Sequence, residues 1–367
     1  MADATVGHAG AASTPGRLAS VDALRGITVA AMLLVNNPGD WSHVYAPLEH
    51  AQWHGVTPTD LVFPMFLFIV GVSTTLALMP RLEQGASPRA LTRQVAVRAL
   101  RIVGLGLLLH LCAWWAFDLP QYRPMGVLQR IGLCFALAGL ATCWTRPRTH
   151  WLLLLALLGG YAALLAAGGS YAPFGNIASR IDHAVLGVHV YQLDPATGRG
   201  HDPEGLPSTL GALATTLLGL RAGDWLRRGD ARRLWLAGAI ALLLGQCWAL
   251  ALPLNKNLWT PSYVLWTGGI SLMSLAFAHW LVERRGLPPW GRAFGVNAIA
   301  AYAGSAFLLY ALAAAGWLEP IYRHGFADWI VPRRGPYVAS LAYAVAFVAL
   351  WWLVVRWLDA RRIYFRI

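Results

Sequence analysis

Ten long apolar stretches run through the chain, at roughly 20–36, 58–79, 95–116, 125–144, 151–167, 208–226, 234–251, 259–282, 294–315 and 337–358, most of them separated by short polar connections. A bilayer core about 30 Å thick is crossed by about 20 predominantly apolar helical residues, so each stretch reads as a transmembrane helix. Short connections make consecutive helices antiparallel neighbours. The pattern predicts an all-α polytopic membrane protein, a bundle of about ten transmembrane helices forming one domain over residues 17–367. Residues 1–16, rich in Ala, Gly, Ser and Thr, read as a disordered tail. No short apolar core with a cleavage site precedes Arg17, so no cleaved leader is expected. Two connections are longer, 168–207 and 316–336, and such segments often act as binding loops or lids. A close helix–helix contact is expected around Gly104 and Gly106.

Composition agrees with a lipid environment: 57% of residues are hydrophobic and only 13% charged, against roughly 25% charged in soluble domains. The formal charge of +12 is unevenly distributed, with 21 basic residues on one set of alternate connections, 7 on the other and Arg130 within a helix. The positive-inside rule then places both termini in the cytoplasm. Topology accounts for the charge, and nucleic-acid binding needs no invoking. Cys112, Cys134, Cys143 and Cys247 all fall in apolar stretches without metal-type spacing, so they read as packing residues and no metal site is expected. Many of the 18 tryptophans and 12 tyrosines suit the interfacial aromatic belt. Trp41, Tyr45, Trp53, Trp259 and Tyr263 instead flank polar motifs on the outward side, where a flat ring can cover the apolar face of a sugar.

Polar groups at helix ends carry the candidate chemistry, because ionisable residues at membrane depth are costly and mark sites by default. His50, in EHAQWHG, lies on the outward connection between the first two helices. Imidazole can take a proton from an amine or hydroxyl, or itself accept an acyl group; a plain surface histidine is the alternative. Thr57, Pro58 and Asp60 fit the cap, first and third positions of the second helix. A capping carboxylate still has acceptor positions left to orient a histidine or an ammonium group. Asn36 closes the first helix, either as a cap or as a donor to a carbonyl oxygen that gains charge. Asp22 and Arg25, three apart, suit a helical ion pair at the cytoplasmic entrance. Arg130, near the outer end of its helix, is placed either to snorkel or to serve a site. Two outward motifs, HDPEGLPSTLGA and LPLNKNLWTPSYV, add Asp202, Glu204, Asn255, Lys256 and Asn257, which suit a hydroxylated, amine-bearing ligand or ordinary turns. Arginine-rich inward connections suit the phosphates of a cytosolic ligand.

The stretches RLASVDALRGITVAAMLLVNN, HAQWHGVTPTDLVFPMFLFIVGVS, MGVLQRIGLC, DPEGLPSTLGALATTLLGLRAG, NKNLWTPSYV and GVNAIAAY resemble, in order, the heparan-α-glucosaminide N-acetyltransferase family, which comprises the lysosomal membrane enzyme and bacterial inner-membrane relatives. The resemblance runs from Arg17 to about Tyr302 and weakens over the last two helices. It implies transfer of acetyl from cytosolic acetyl-CoA, across the membrane, to the amine of a glucosamine-type sugar, together with homodimerisation. Residue by residue, it makes His50 the catalytic histidine of the HAxW motif, Asn36 the asparagine closing the first helix, and Asp60 the aspartate of the TxxDLVFP motif. Arg25, Asp22 and Arg130 become the donor-side candidates, and Trp53, His54, Asp202, Glu204, Lys256, Asn257 and Trp259 the acceptor-side ones. The chain departs from the lysosomal pattern in a longer 36–50 connection carrying His43 and Pro47, and in His54 where that pattern has asparagine. The lysosomal enzyme's additional N-terminal luminal region has no counterpart, so the compact bacterial inner-membrane form is expected. O-acylation of an envelope glycan on the same scaffold, and sugar transport without acyl chemistry, are the competing expectations.

Overall fold

The computed structural model describes residues 18–365, so the expected tail at residues 1–16 lies outside the described residues. All ten predicted stretches are helical. The helices are α1 (Ala19–Asn36), α2 (Val62–Glu83), α3 (Pro88–Ala116), α4 (Val127–Trp144), α5 (Pro147–Ala167), α6 (Ile177–Leu186), α7 (Ser208–Arg227), α8 (Arg232–Trp248), α9 (Pro261–His279), α10 (Arg292–Val296), α11 (Ala298–Ala314), α12 (Leu318–Tyr322), α13 (Asp328–Arg334) and α14 (Pro336–Ala360). The ninth stretch is broken into α10 and α11 at Asn297, whose backbone (φ −120°, ψ 33°) is not helical. The two long connections carry structure of their own: α6 and an antiparallel pair, β1 (Gln192–Leu193) with β2 (Gly200–His201), in the first, and α12 and α13 in the second.

Among the described residues, seven helices are long and apolar enough to cross a bilayer, and an eighth is counted if α11 and the segment after it, bent by 104°, form one span. The count of ten expected from hydropathy falls to this number for two physical reasons. The first is α7, which is buried along its whole length: every residue from Ser208 to Leu226 except Leu210 and Leu213 is covered by protein. It packs on α2, α4, α5 and α9, so it carries Gly, Ala, Thr, Arg221 and Asp224 where a lipid-facing helix needs apolar side chains. The second is α8, which has only 17 residues, although Leu236, Ile240, Leu243 and Leu244 form an exposed apolar stripe on it.

Glycine sets the closest helix approach, between α2 and α7. A methyl group on Gly71 would lie 2.0 Å from the Thr216 carbonyl oxygen, and one on Gly219 would lie 2.0 Å from that of Phe68. Gly223, four residues on, meets Val72 in the same way, a small-xxx-small stripe of the kind that lets membrane helices touch along their backbones. Thr75 donates across the seam to the Leu220 carbonyl at 3.0 Å. The contact expected at Gly104 and Gly106 is half present: Gly106 sits against Gln129 of α4, whereas Gly104 faces open space. The four cysteines are free, with Cys134 and Cys143 buried and Cys247 exposed.

Candidate active site

The chain turns sharply into α2 through Pro58–Leu61, with Thr57 as cap and Asp60 at the third position. As the sequence suggests, the Asp60 carboxylate reaches back: its Oδ2 accepts the Thr57 amide at 3.0 Å, and also the Ala51 amide at 3.0 Å. That leaves Oδ1 pointing at His50, 2.7 Å from Nδ1. Capping and orienting are therefore done by two different oxygens of one carboxylate. A carboxylate can only accept, so a ring proton sits on Nδ1, and in the neutral ring Nε2 keeps its lone pair. Asp60 is 1% exposed and His50 48%, a fixed acceptor holding a ring that is open on its other side. Tyr263 of α9 steadies the same turn, donating to the Asp60 carbonyl at 2.6 Å.

A second loop, between α8 and α9, closes over the first. Asn255 donates to the Trp53 carbonyl at 2.8 Å and accepts the Leu258 amide at 2.8 Å, while the Gly55 amide bonds the Leu254 carbonyl at 2.9 Å. These bonds deliver Lys256 to the histidine: its Nζ lies 3.1 Å from both His50 ring nitrogens and 3.9 Å from Asp60 Oδ1. Only 16% of the Lys256 side chain is exposed, and burial lowers its pKa from the ordinary value. Trp259, left-handed at φ 49°, is fully buried, its indole bonded to Thr215 and its ring edge-on to Phe63 and Tyr263.

Behind Lys256 lies a buried charge cluster. Arg123, which the sequence reading did not single out, grips Asp202 through Nε (2.8 Å) and Nη2 (2.5 Å), and Glu204 through Nη2 (2.5 Å). Burial pushes the Glu204 pKa up, but Arg123, Arg130 and Lys256 outweigh it and hold the carboxyl below its ordinary range. Arg130, also fully buried, bonds Ser208 and the Gly205 carbonyl and stacks over Trp259 at 5.1 Å. Farther out, His201 bonds Ser179 at 2.9 Å and packs against Trp53, whose indole donates to the Tyr171 carbonyl at 2.7 Å. Burial presses His201 down to about 4 and raises Asp182, which accepts the Leu206 amide at 2.7 Å, to about 7.

The structure thus brings together His50, Asp60, Lys256, Glu204, Asp202, Arg130, Trp53 and Trp259 at one end of the bundle. Asp202 and Glu204 are spent on Arg123 rather than open to a ligand, and Trp259 is core rather than an exposed platform; Trp41 and Tyr45 remain exposed. His54 is exposed, 3.3 Å from Asn255, and Asn257 is half-buried. Asn36 is exposed at the end of α1, which touches the Pro58–Leu61 turn. Arg25 and Asp22 lie at the start of α1, apart from Arg130. Arg25 bonds Asp22 (2.9 Å), Ser73 (2.6 Å) and the Gly295 carbonyl (3.1 Å), tying α1 to α2 and to α10. His43 is bonded to Asp40 at 2.7 Å. No group of three or more His, Cys, Asp or Glu suited to a metal ion occurs among the described residues.

Membrane-length helices with a histidine–carboxylate pair and a lysine held together at one end describe a multi-pass membrane protein with a polar cluster at that end of its bundle. The family model for the catalytic region of heparan-alpha-glucosaminide N-acetyltransferase matches residues 17–179, a segment that contains both His50 and Asp60. The human heparan-alpha-glucosaminide N-acetyltransferase is 27% identical over 423 aligned residues covering 96% of this chain, and the mouse protein 26% over 424 covering 97%. The chain is thus similar to this family, over residues 17–179 by the family model and along nearly its whole length by the two relatives. It spans about 60% of the length of the curated relatives it matches.

Proposed function

We propose that the protein is a transmembrane N-acetyltransferase that moves acetyl from cytosolic acetyl-CoA to the amine of a glucosamine-type sugar on the periplasmic side of a bacterial inner membrane. In this reading the His50 end faces outward, both termini face the cytoplasm, α7 and α8 complete ten crossings, and the working unit is a homodimer. The observation that carries it is the His50–Asp60 pair: a ring whose Nδ1 is tied at 2.7 Å to a buried, capped carboxylate leaves Nε2 as an outward-facing general base. The donor's phosphates lie at the Arg25 end, among arginines, and its pantetheine arm runs along α1 toward Asn36. The acceptor approaches over Trp53, His54 and Asn257. A base at Nε2 serves a hydroxyl as well as an amine, so the acceptor's identity is an outcome of the test.

Thiol release from acetyl-CoA is measured for the detergent-purified protein with and without glucosamine, beside His50→Ala. Glucosamine-dependent release that disappears in the variant is expected. A folded wild type that releases no thiol in the presence of glucosamine would overturn the reading. Label found on hydroxyls alone would redirect it to O-acylation, and sugar flux in vesicles lacking acetyl-CoA would redirect it to transport.

A further inference from the structure

Lys256 is a largely covered cation whose nearest carboxylate is not in direct contact with it. Its shortest carboxylate approach is the 3.9 Å to Asp60, while Asp202 and Glu204 are held at 2.5 Å by Arg123 instead. Its nearest polar contacts are the two nitrogens of the His50 ring, equally distant at 3.1 Å. Equal distances from nitrogens on either side of Cε1 put the ammonium over the face of the ring, because an in-plane approach would drive it into Cε1. The lone pair of Nε2, which lies in the ring plane, is therefore left open. An ammonium has three donors and no acceptor, and its nearest polar groups are the His50 ring at 3.1 Å and Asp60 at 3.9 Å. The loop is fixed from both sides, by Asn255 on the Trp53 carbonyl and by the Gly55 amide on the Leu254 carbonyl. Holding a charged lysine in this place has a desolvation cost, which the nearby charges of Asp60 and Glu204 offset while neither carboxylate closes on its ammonium within 3.9 Å.

We propose that Lys256 is the electrophilic residue of the site, donating a hydrogen bond to the thioester oxygen as that oxygen becomes negative. This rests on the acetyl-transfer reading above and adds to it a role that the sequence had given to Asn36. As the acceptor nitrogen bonds to the thioester carbon, one of its protons passes to His50 Nε2 and the carbonyl π pair moves onto oxygen. Collapse of this intermediate breaks the carbon–sulfur bond, and the departing thiolate takes the proton back from His50. Amide and free thiol are the products, and Lys256 keeps its own protons throughout. A cation beside the base, above its ring, can meet an oxygen on a carbon that is one bond from the attacking nitrogen. Fixed donors aimed at developing charge are worth most in sites that exclude water.

The test is steady-state kinetics of Lys256→Met, Lys256→Arg and Lys256→Cys, the last measured before and after alkylation with 2-bromoethylamine, which restores an ammonium at nearly the same reach. Loss of one such donor lowers kcat by about 10²–10³-fold, with KM for acetyl-CoA nearly unchanged. Arginine is expected to recover part of the rate, and the alkylated cysteine to regain most of it in a protein whose fold was set before rescue. Undiminished kcat in Lys256→Met would overturn the proposal, as would a loss confined to KM for the sugar or a loss that alkylation does not restore. An inactive wild type in the same assay would instead sink the acetyl-transfer reading, so the two failures are distinguishable.

Discussion

Replacing Asp60 by asparagine probes the site at its most constrained point. Two backbone amides, those of Ala51 and Thr57, converge on Oδ2 at 3.0 Å each. They will take the amide oxygen of an asparagine, because an NH2 group there would face two donors. The Nδ2 of the new side chain is then turned to His50 Nδ1, 2.7 Å away in the wild type. A donor in that place makes Nδ1 the acceptor and moves the ring proton to Nε2, the atom that has to receive one. The base is disabled by a change of tautomer with the geometry kept. General-base catalysis contributes about 10²–10⁴-fold, and a wrong tautomer forfeits most of it, so kcat should fall by about 10³-fold, or ~4 kcal/mol in the barrier. Stability should fall by less, about 1–2 kcal/mol, since bonds to a charged acceptor are roughly twice as strong as neutral ones. Initial rates of thiol release at saturating donor and acceptor give kcat, and thermal unfolding in detergent gives the stability. A folded variant with kcat within about threefold of wild type would refute the reasoning and reduce Asp60 to a helix cap.

Arg123→Met should destabilise the protein by about 3–5 kcal/mol, because it leaves the buried Asp202 and Glu204 without their shared partner; an unchanged unfolding midpoint would show that other groups neutralise them. Gly219→Val should prevent close packing of α2 on α7, where even a methyl carbon would lie 2.0 Å from the Phe68 carbonyl oxygen, and should appear as loss of monodisperse protein in size exclusion; normal yield and melting would contradict the crossing. Asp182→Asn tests a pH effect: the folded carboxyl, at about 7, lies above its ordinary 3.8. The wild type therefore loses stability as pH rises from about 4 through about 7, by up to ~4 kcal/mol at ~1.4 per pH unit. The asparagine variant should be level with wild type at pH 4–5 and more stable above pH 7, as read from unfolding midpoints across that range. A difference independent of pH would mean that Asp182 is already ionised in the fold.

The helices were legible because lipid imposes a long apolar run that needs no partner to be recognised, and all ten stretches are helical. What hydropathy does not report is which run faces lipid. The helix α7 meets protein nearly everywhere, Leu210 and Leu213 excepted, so its glycines, threonines and Arg221 carry information about neighbours rather than about the bilayer. The break before α11 had a local sign, Gly295 and Asn297 within an apolar run, yet its placement depends on α10 packing against the start of α1, where Gly295 meets the Asp22 carbonyl. At the site, the Asp60 cap was readable because capping is local, spanning Thr57 to Asp60. The contact of Lys256 with His50 was not, since 206 positions separate them and two loops must close before the side chains meet. Arg123 passed as one more basic loop residue for the same reason: its meaning comes from carboxylates 79 and 81 positions away.

Those long-range pairs share one logic. Near the histidine the carboxylates Asp60, Asp202 and Glu204 and the cation Arg130 are buried, and the partly covered cations Lys256 and Arg123 bring the set to three of each sign. Taken one at a time, each has an ordinary structural reading: a cap, a turn residue, a snorkelling arginine. Taken together they balance, and a buried group of charges is tolerated only where signs match and donors meet acceptors. The balance is also uneven in space, and that unevenness matters to chemistry. Arg123 consumes both carboxylates of the DPE motif and Arg130 turns to Ser208 and Gly205, so Lys256 is left as the cation that faces the histidine. Removing Glu204 would leave Arg123 with Asp202 alone and Lys256 with Asp60 as its nearby carboxylate. The Arg123 ion pairs thereby do more than stabilise an end of the bundle. By holding Asp202 and Glu204, Arg123 leaves Asp60 to the His50 ring and Lys256 beside it, as the proposed roles of the two residues require.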